Sequence, residues 1–293
     1  MTRAEIVAGA REAIHNGSKS FRAASRLFDP VTRERSWLLY SWCRHCDDVA
    51  DGQTLGFGGG TRGDVATLRA KTRLAMADEA PDELPFLALE QLLRERPIPA
   101  RFIEDHLEGF ALDESGWRPR DEAALAQYCY HVAGTVGCMM AIVMGVPADD
   151  DVTLERAADL GIAFQLSNIL RDIRDDHDNG RCYLPADWLA DAEVTPERLF
   201  DPENGTALQS IVARLVAAVE TYEASARRGI DQLPFRSRVA VLTALRIYGA
   251  IGRRVAALGP AAWDRRVSVG KLRKLAYVAP SLAEATFGGA AGR

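Results

Sequence analysis

Strand-like patterning is scarce in this chain. Val, Ile and Thr rarely fall into the alternating runs that mark strands, which argues against a sheet-based fold. Linkers are missing too. No long Pro/Ser run, low-complexity tract or internal repeat divides the 293 residues, so a single domain over 1–293 is expected. A net charge of −5 gives no support for a nucleic-acid footprint, and no nucleic-acid partner is expected. The five cysteines (Cys43, Cys46, Cys129, Cys138 and Cys182) are odd in number and lack the spacing of a disulfide framework. The start, Met1-Thr2-Arg3-Ala4-Glu5, has no signal-peptide pattern, so a reducing, cytoplasmic setting is expected. Cys43-x-x-Cys46, with His45 between, has no second pair at finger spacing, which disfavours a zinc module.

One absence tests the soluble reading. Between Ala123 and Val146 there is no Asp, Glu, Lys or Arg, and that length could span a bilayer. Gln127, His131, Thr135 and three glycines interrupt it, however, and no basic cluster flanks it. It reads as a buried core helix, a suitable wall for a long apolar ligand.

What is present is helical periodicity almost throughout, in a chain that is 47% hydrophobic and 26% charged, an ordinary globular balance. Helices are predicted over 3–15, 19–28, 31–51, 63–78, 83–95, 99–114, 121–145, 151–178, 205–230, 235–257 and 268–286. Asp29-Pro30 opens the third, Arg96-Pro97-Ile98-Pro99 separates two others, and Pro147 closes the long central one. Between Gly52 and Gly63 a Gly-rich stretch reads as a flap that could close over a ligand, or simply as a flexible loop.

Two of these helices carry acid stripes. In Asp47-Asp48-Val49-Ala50-Asp51 the acids Asp47 and Asp51 stand four apart, and in Asn168 through Asp176 so do Asn168, Asp172 and Asp176. Four residues advance about 6 Å along an α-helix and drift only about 40° around it, so each set lines one face. Like charges at that spacing repel, so a cation is expected between the stripes. Acid stripes are usually solvated faces. Here each directly continues an apolar run, Trp37 to Cys43 and Leu160 to Leu166, which places it at the rim of a buried space. Hard oxygen donors in this number suit Mg²⁺, or Mn²⁺ in its place. A helical bundle with a cavity charged at one mouth follows.

Cationic and polar groups gather beside the stripes. Arg44 precedes Asp47 by three residues and Tyr40 precedes Arg44 by four, while Arg171 adjoins Asp172. Ser18-Lys19-Ser20-Phe21 opens a helix whose amides and hydroxyls could hold an anion. Arg181 and Tyr183 follow the second stripe. Each arginine alone is more often a surface ion pair, but together they form a diphosphate clamp. Beside them the predicted walls are apolar: Phe21, the 123–146 helix and Leu160 to Leu166. The implied ligand has an anionic head and a long hydrocarbon tail.

These segments resemble the squalene/phytoene synthases. Tyr40 through Asp51 is similar to the family's first signature, and Asn168 through Asp176 with Gly180-Arg181-Cys182-Tyr183-Leu184-Pro185 to its second. Ser18 through Phe21 and Tyr128 through Gly137 also match, and the stretch from Asp51 to Phe57 looks most like the bacterial phytoene branch. The resemblance implies an all-α isoprenoid-synthase fold and Mg²⁺-dependent head-to-head condensation of two prenyl diphosphates, geranylgeranyl diphosphate in the phytoene branch. It implies that Asp47, Asp51, Asn168, Asp172 and Asp176 hold the metal, and that Ser18, Tyr40, Arg44, Arg171 and Tyr248 bind diphosphate. Phe21, Tyr128, Gln165 and Tyr183 would line the chamber, with Arg171 and Tyr183 among the catalytic groups. No NADPH is expected in that branch. A squalene or dehydrosqualene synthase using farnesyl diphosphate, or a non-catalytic carrier of apolar ligands, are the alternatives. A carrier would need the cavity but not the two stripes. So apolar a product implies peripheral membrane contact, and the chain shows no C-terminal hydrophobic anchor before Phe287-Gly288 to Arg293.

Overall fold

A computed structural model describes residues 1–17, 19–51 and 63–287, with only the helical backbone described at Lys19, Ser20, Ala23 and Asp51. Its regular elements are α1 (Arg3–Gly17), α2 (Lys19–Ser25), α3 (Pro30–Asp51), α4 (Val65–Met76), α5 (Leu84–Glu95), α6 (Ala100–Glu114), α7 (Glu122–Cys129), α8 (Thr135–Val143), α9 (Asp151–Asp178), α10 (Ala186–Asp191), α11 (Gly205–Arg227), α12 (Phe235–Leu258), α13 (Lys271–Ala276) and α14 (Val278–Phe287). No strand occurs among the described residues.

Helix starts follow their capping chemistry. Asp29 Oδ1 accepts from the amides of Val31 and Thr32, both at 3.0 Å, ahead of Pro30. Asp121 caps α7 through the Ala124 amide at 2.8 Å, and Asp150 caps α9 through the Thr153 amide at 3.1 Å. Gly145 (φ 113°) and Gly180 (φ 71°) turn the chain in the left-handed region after α8 and α9.

Two buried apolar clusters build the bundle. One joins α1, α3, α4, α5, α6 and α8 with the first half of α12, around the fully buried Trp42, Phe86 and Leu89. The other joins α9, α10 and α11 with the end of α12, around Trp188 and Leu215. Each such side chain contributes about 1.5–3 kcal/mol by leaving water. Helix α9 is the central member, packed on α8, α11 and α12.

The predicted helices are present, with five main differences. The 19–28 helix ends at Ser25. The 121–145 helix contains a π-helical turn at Tyr130–Gly134, between α7 and α8. The 205–230 helix ends at Arg227, followed by a short 3₁₀ turn at Ile230–Gln232. The 268–286 helix breaks at Tyr277 into α13 and α14. Helix α10 was not foreseen, because six residues are too few to show a period. No helix among the described residues is long and apolar enough to cross a membrane, and the 123–146 stretch lies in the core, with Met139 and Ile142 fully buried. The Gly-rich segment 52–62 lies outside the described residues.

Candidate active site

The C-terminal half of α3 supplies the first group of polar side chains. Arg44 lies between acids of its own helix, with Nη1 3.7 Å from Asp47 and 3.9 Å from Asp48. Its Nε is 3.4 Å from the Tyr40 hydroxyl, which accepts from it. Tyr40 in turn stacks on Phe21 of α2, ring centroids 5.4 Å apart. An added Cβ at Gly17 would sit 2.5 Å from the Tyr40 hydroxyl, so a larger residue at the end of α1 would push the phenol aside. Burial pushes the Tyr40 phenol up, which keeps it a neutral donor. Asp47 has 43% of its side chain exposed, whereas Asp48 is buried.

The second group lies on α9. Arg171 forks onto Asp172, its Nε donating to Oδ1 at 2.7 Å and its Nη2 to Oδ2. Arg266, from the segment after α12, donates Nε and Nη2 to the same carboxylate, both at 3.1 Å. Burial alone would raise the Asp172 carboxyl, but the two guanidiniums hold it below its usual range. One turn on, Asp176 is pushed up to about 7, first by burial and then by the charge of Asp172, with Arg181 pulling the other way. One turn back, Asn168 and Gln165 are joined at 3.5 Å. Phe164 and Tyr248 stack at 4.1 Å. Phe164, Gln165, Asn168 and Tyr248 stay partly exposed although Leu166, Ser167 and Ile169 beside them are buried.

The third group is aromatic. Trp117, Tyr128 and Tyr183 stack in a column, with centroids 5.4 Å and 5.1 Å apart. Both phenols donate to one carboxylate: Tyr128 to Asp113 at 3.0 Å and Tyr183 to Asp113 at 3.0 Å. Burial, then the Asp113 charge, raises both phenols, so they remain neutral.

The predicted residues therefore gather at three places: Phe21, Tyr40, Arg44 and Asp47 around α3; Gln165, Asn168, Arg171, Asp172, Asp176 and Tyr248 around α9; and Tyr128 with Tyr183. Arg181, with Asp176 and Tyr183, lines a small cavity of about 10 Å³ behind the second stripe. Ser18 and the side chains of Lys19, Ser20 and Asp51 lie outside the described residues. Among the described residues, no three of His, Cys, Asp and Glu converge as a ready-made metal cage. The Cys43-x-x-Cys46 pair is no exception: Cys46 is buried, and burial pushes its thiol up. Asp113 and Arg266 are additions that the sequence reading missed. Neither stands on an i, i+4 stripe, and their partners Tyr183 and Asp172 lie 70 and 94 residues away.

A family model described as squalene/phytoene synthase matches residues 14–273. The chain is 44% identical to a phytoene synthase of Pseudescherichia vulneris, over 95% of this chain and 91% of that protein. It is 46% identical to a 15-cis-phytoene synthase of Enterobacter agglomerans, over 92% of each. Among solved structures it resembles a dehydrosqualene synthase in complex with a ligand, with a TM-score of 0.85, 24% identity and 97% of each chain covered. At that identity the likeness speaks for a shared fold alone.

Proposed function

We infer that this chain, which belongs to the squalene/phytoene synthase family, is a 15-cis-phytoene synthase. It joins two geranylgeranyl diphosphates head to head, through prephytoene diphosphate, in carotenoid biosynthesis. The observation that carries this reading is the likeness to bacterial phytoene synthases over nearly the whole chain.

A divalent metal belongs to the family's chemistry, and we assign Mg²⁺. Asp47, Asp51, Asn168, Asp172 and Asp176 would hold it, an all-oxygen donor set suited to a hard cation. The Asp172–Asp176 pair fits this role, because a buried carboxyl lifted to about 7 beside a second acid is a group short of a cation. Bound there, Mg²⁺ would supply Lewis-acid neutralisation of diphosphate charge.

The chain's own residues do the rest. Arg44, Arg171 and Arg266 offer guanidinium forks where negative charge grows as diphosphate leaves. The C1 cation so formed is attacked by the 2,3 double bond of the acceptor, and proton loss closes a cyclopropane. A second ionisation, rearrangement and proton loss give phytoene. The Tyr183–Tyr128–Trp117 column and the Phe164–Tyr248 pair present π faces that stabilise the cations and exclude water. Asp113 fixes the phenols so that neither competes as a nucleophile. No reductant is required, since the last cation is quenched by proton loss.

The test is product mass after incubation with Mg²⁺ and farnesyl or geranylgeranyl diphosphate, each with and without NADPH. Phytoene from geranylgeranyl diphosphate, unaffected by NADPH, is expected. A product from farnesyl diphosphate alone, or one that depends on NADPH, overturns the assignment.

We also propose peripheral contact with a membrane. Leu272 is 85% exposed and Leu275 68%, beside the exposed Lys271 and Arg273 on α13. Apolar side chains flanked by cations suit an anionic lipid surface.

A further inference from the structure

The corner where α1, α2 and α3 meet encloses a cavity of about 270 Å³ that shares no residue with the acid stripes. Its lining includes Arg11, His15, Arg22, Arg26, Arg33 and Trp37. Among the described residues none of the four arginines is paired with a carboxylate, in a chain whose other surface arginines are widely paired. Of the acids beside these arginines in the sequence, Glu34 is engaged with Arg3 at 2.9 Å and Asp29 with the first amides of α3, and Glu12 makes no ion pair with any of the four among the described residues. Arg11 and Arg33 bring their guanidinium carbons to 6.0 and 5.8 Å from the centroid of the same indole, that of Trp37. The Trp37 Nε1 donates to the buried Ser25 at 3.2 Å, which fixes the ring as the floor. Arg33 Nε is buried with no acceptor among the described residues. Arg22 spends one Nη on the His15 carbonyl at 3.1 Å.

Four like charges around one hollow repel each other, and a buried guanidinium N–H without an acceptor is costly. Solvated side chains at the surface would be the plain explanation for Arg11 and Arg26, which are exposed, but not for the buried Nε of Arg33. We propose that this cavity is a second anion site, distinct from the metal-binding mouth, which takes a phosphate or diphosphate group. Planar guanidinium forks are suited to that oxygen geometry. A free diphosphate and the headgroup of an anionic phospholipid both offer this chemistry. Its position gives it a consequence. Helix α2 supplies Arg22 and Ser25 to this cavity, with Arg26 just after it, and Phe21 to the stack on Tyr40. An anion held here therefore braces the short helix that positions Phe21 at the substrate chamber.

The test is made on the full chain in EDTA, without substrate, so that it does not depend on turnover. Titration calorimetry with inorganic diphosphate, and flotation with phosphatidylcholine vesicles with and without phosphatidylglycerol, are compared for the wild type, Arg11→Gln/Arg26→Gln and Arg33→Gln. Arg44→Gln serves as the control for binding at the mouth. Melting temperature checks each fold, and the exposed Arg26→Gln alone repeats the test should a variant be unstable. Loss of a charge-assisted contact predicts about tenfold or weaker diphosphate binding at this cavity in the cavity variants, whereas Arg44→Gln loses only the binding at the mouth and keeps the cavity's. Loss of flotation only, with phosphatidylglycerol present, assigns the site to a lipid headgroup. If cavity variants match the wild type in both assays, or if Arg44→Gln alone loses binding, the proposal is wrong.

Discussion

Asp47 and Asp172 differ in what surrounds them, and their variants should differ accordingly. Asp47 has 43% of its side chain exposed and lies 3.7 Å from the Arg44 guanidinium, so Asp47→Ala should abolish turnover with only a small drop in melting temperature. Asp172 is clamped by Arg171 and Arg266, and Asp172→Ala should abolish turnover and also destabilise, because it strands a half-buried guanidinium. Asp172→Asn keeps the shape and separates the two effects. Normal activity with Mg²⁺ as the only metal in either alanine variant would show the stripes to be solvated faces. Arg171→Lys keeps the charge but loses the fork on Asp172. If Arg171 acts mainly where diphosphate departs, kcat should drop roughly ten- to a thousandfold. An unchanged kcat with a raised KM would mean that it only gathers substrate. Asp176 gives the pH dependence. Its folded carboxyl, at about 7, stands above the ordinary 3.8, so ionising it opposes folding. This contribution favours the metal-free fold at low pH and is lost as pH rises through 7. Metal-free wild type should therefore lose melting temperature relative to Asp176→Asn between pH 5 and 8, and Mg²⁺ should restore it at pH 8. Parallel melting curves for the two proteins would refute the buried, cation-seeking role of Asp176.

The elements that hold these residues were unequally legible in the sequence. Helices α3 and α9 were foreseen to within a residue, because Asp29-Pro30 announces the start of α3, Pro147 parts α9 from the helix before it, and their acid stripes share the helical period. The stripes, Tyr40, Arg44 and Arg171 could be read for the same reason: they are local patterns. Asp113 and Arg266 could not, since only the tertiary fold brings them to Tyr128, Tyr183 and Asp172. The π turn at Tyr130–Gly134 was equally hidden, as it changes the hydrogen-bond register without breaking the apolar run. Its setting explains the glycines around it. A Cβ at Gly137 would meet the Ala157 carbonyl oxygen at 2.2 Å, and one at Gly161 would meet that of Ala133 at 2.2 Å. The π turn with α8 and helix α9 thus cross backbone to backbone, and this contact sets where the second acid stripe sits. Gly161→Ala should force them apart, at a cost of about 1–3 kcal/mol. Thermal melting should show a drop of several degrees, accompanied by reduced kcat. A variant as stable and active as the wild type would mean that the crossing has slack.

At the scale of the whole molecule, a bundle built from two buried clusters still exposes single apolar side chains in several places, among them Val31, Val152 and Phe235, and several together near one end of the chain. Leu272, Leu275, Leu282 and Phe287 all stand exposed near its C-terminal end, on α13 and α14. The same region follows directly on Arg266, which reaches the Asp172 carboxylate, so the exposed leucines and the diphosphate mouth are joined by a few residues of chain. A product too apolar for water has reason to leave toward lipid, and a surface of leucines among Lys271 and Arg273 is suited to meet anionic headgroups. The proposed contact would be peripheral, as no described helix is long and apolar enough to span a bilayer. High salt or alkaline carbonate should therefore release the protein from membranes. Leu272→Ser/Leu275→Ser should lower membrane retention in low salt while leaving the melting temperature close to the wild type, because both side chains are exposed. Retention after carbonate extraction would contradict peripheral contact, and unchanged retention of the double variant would move the contact to another face.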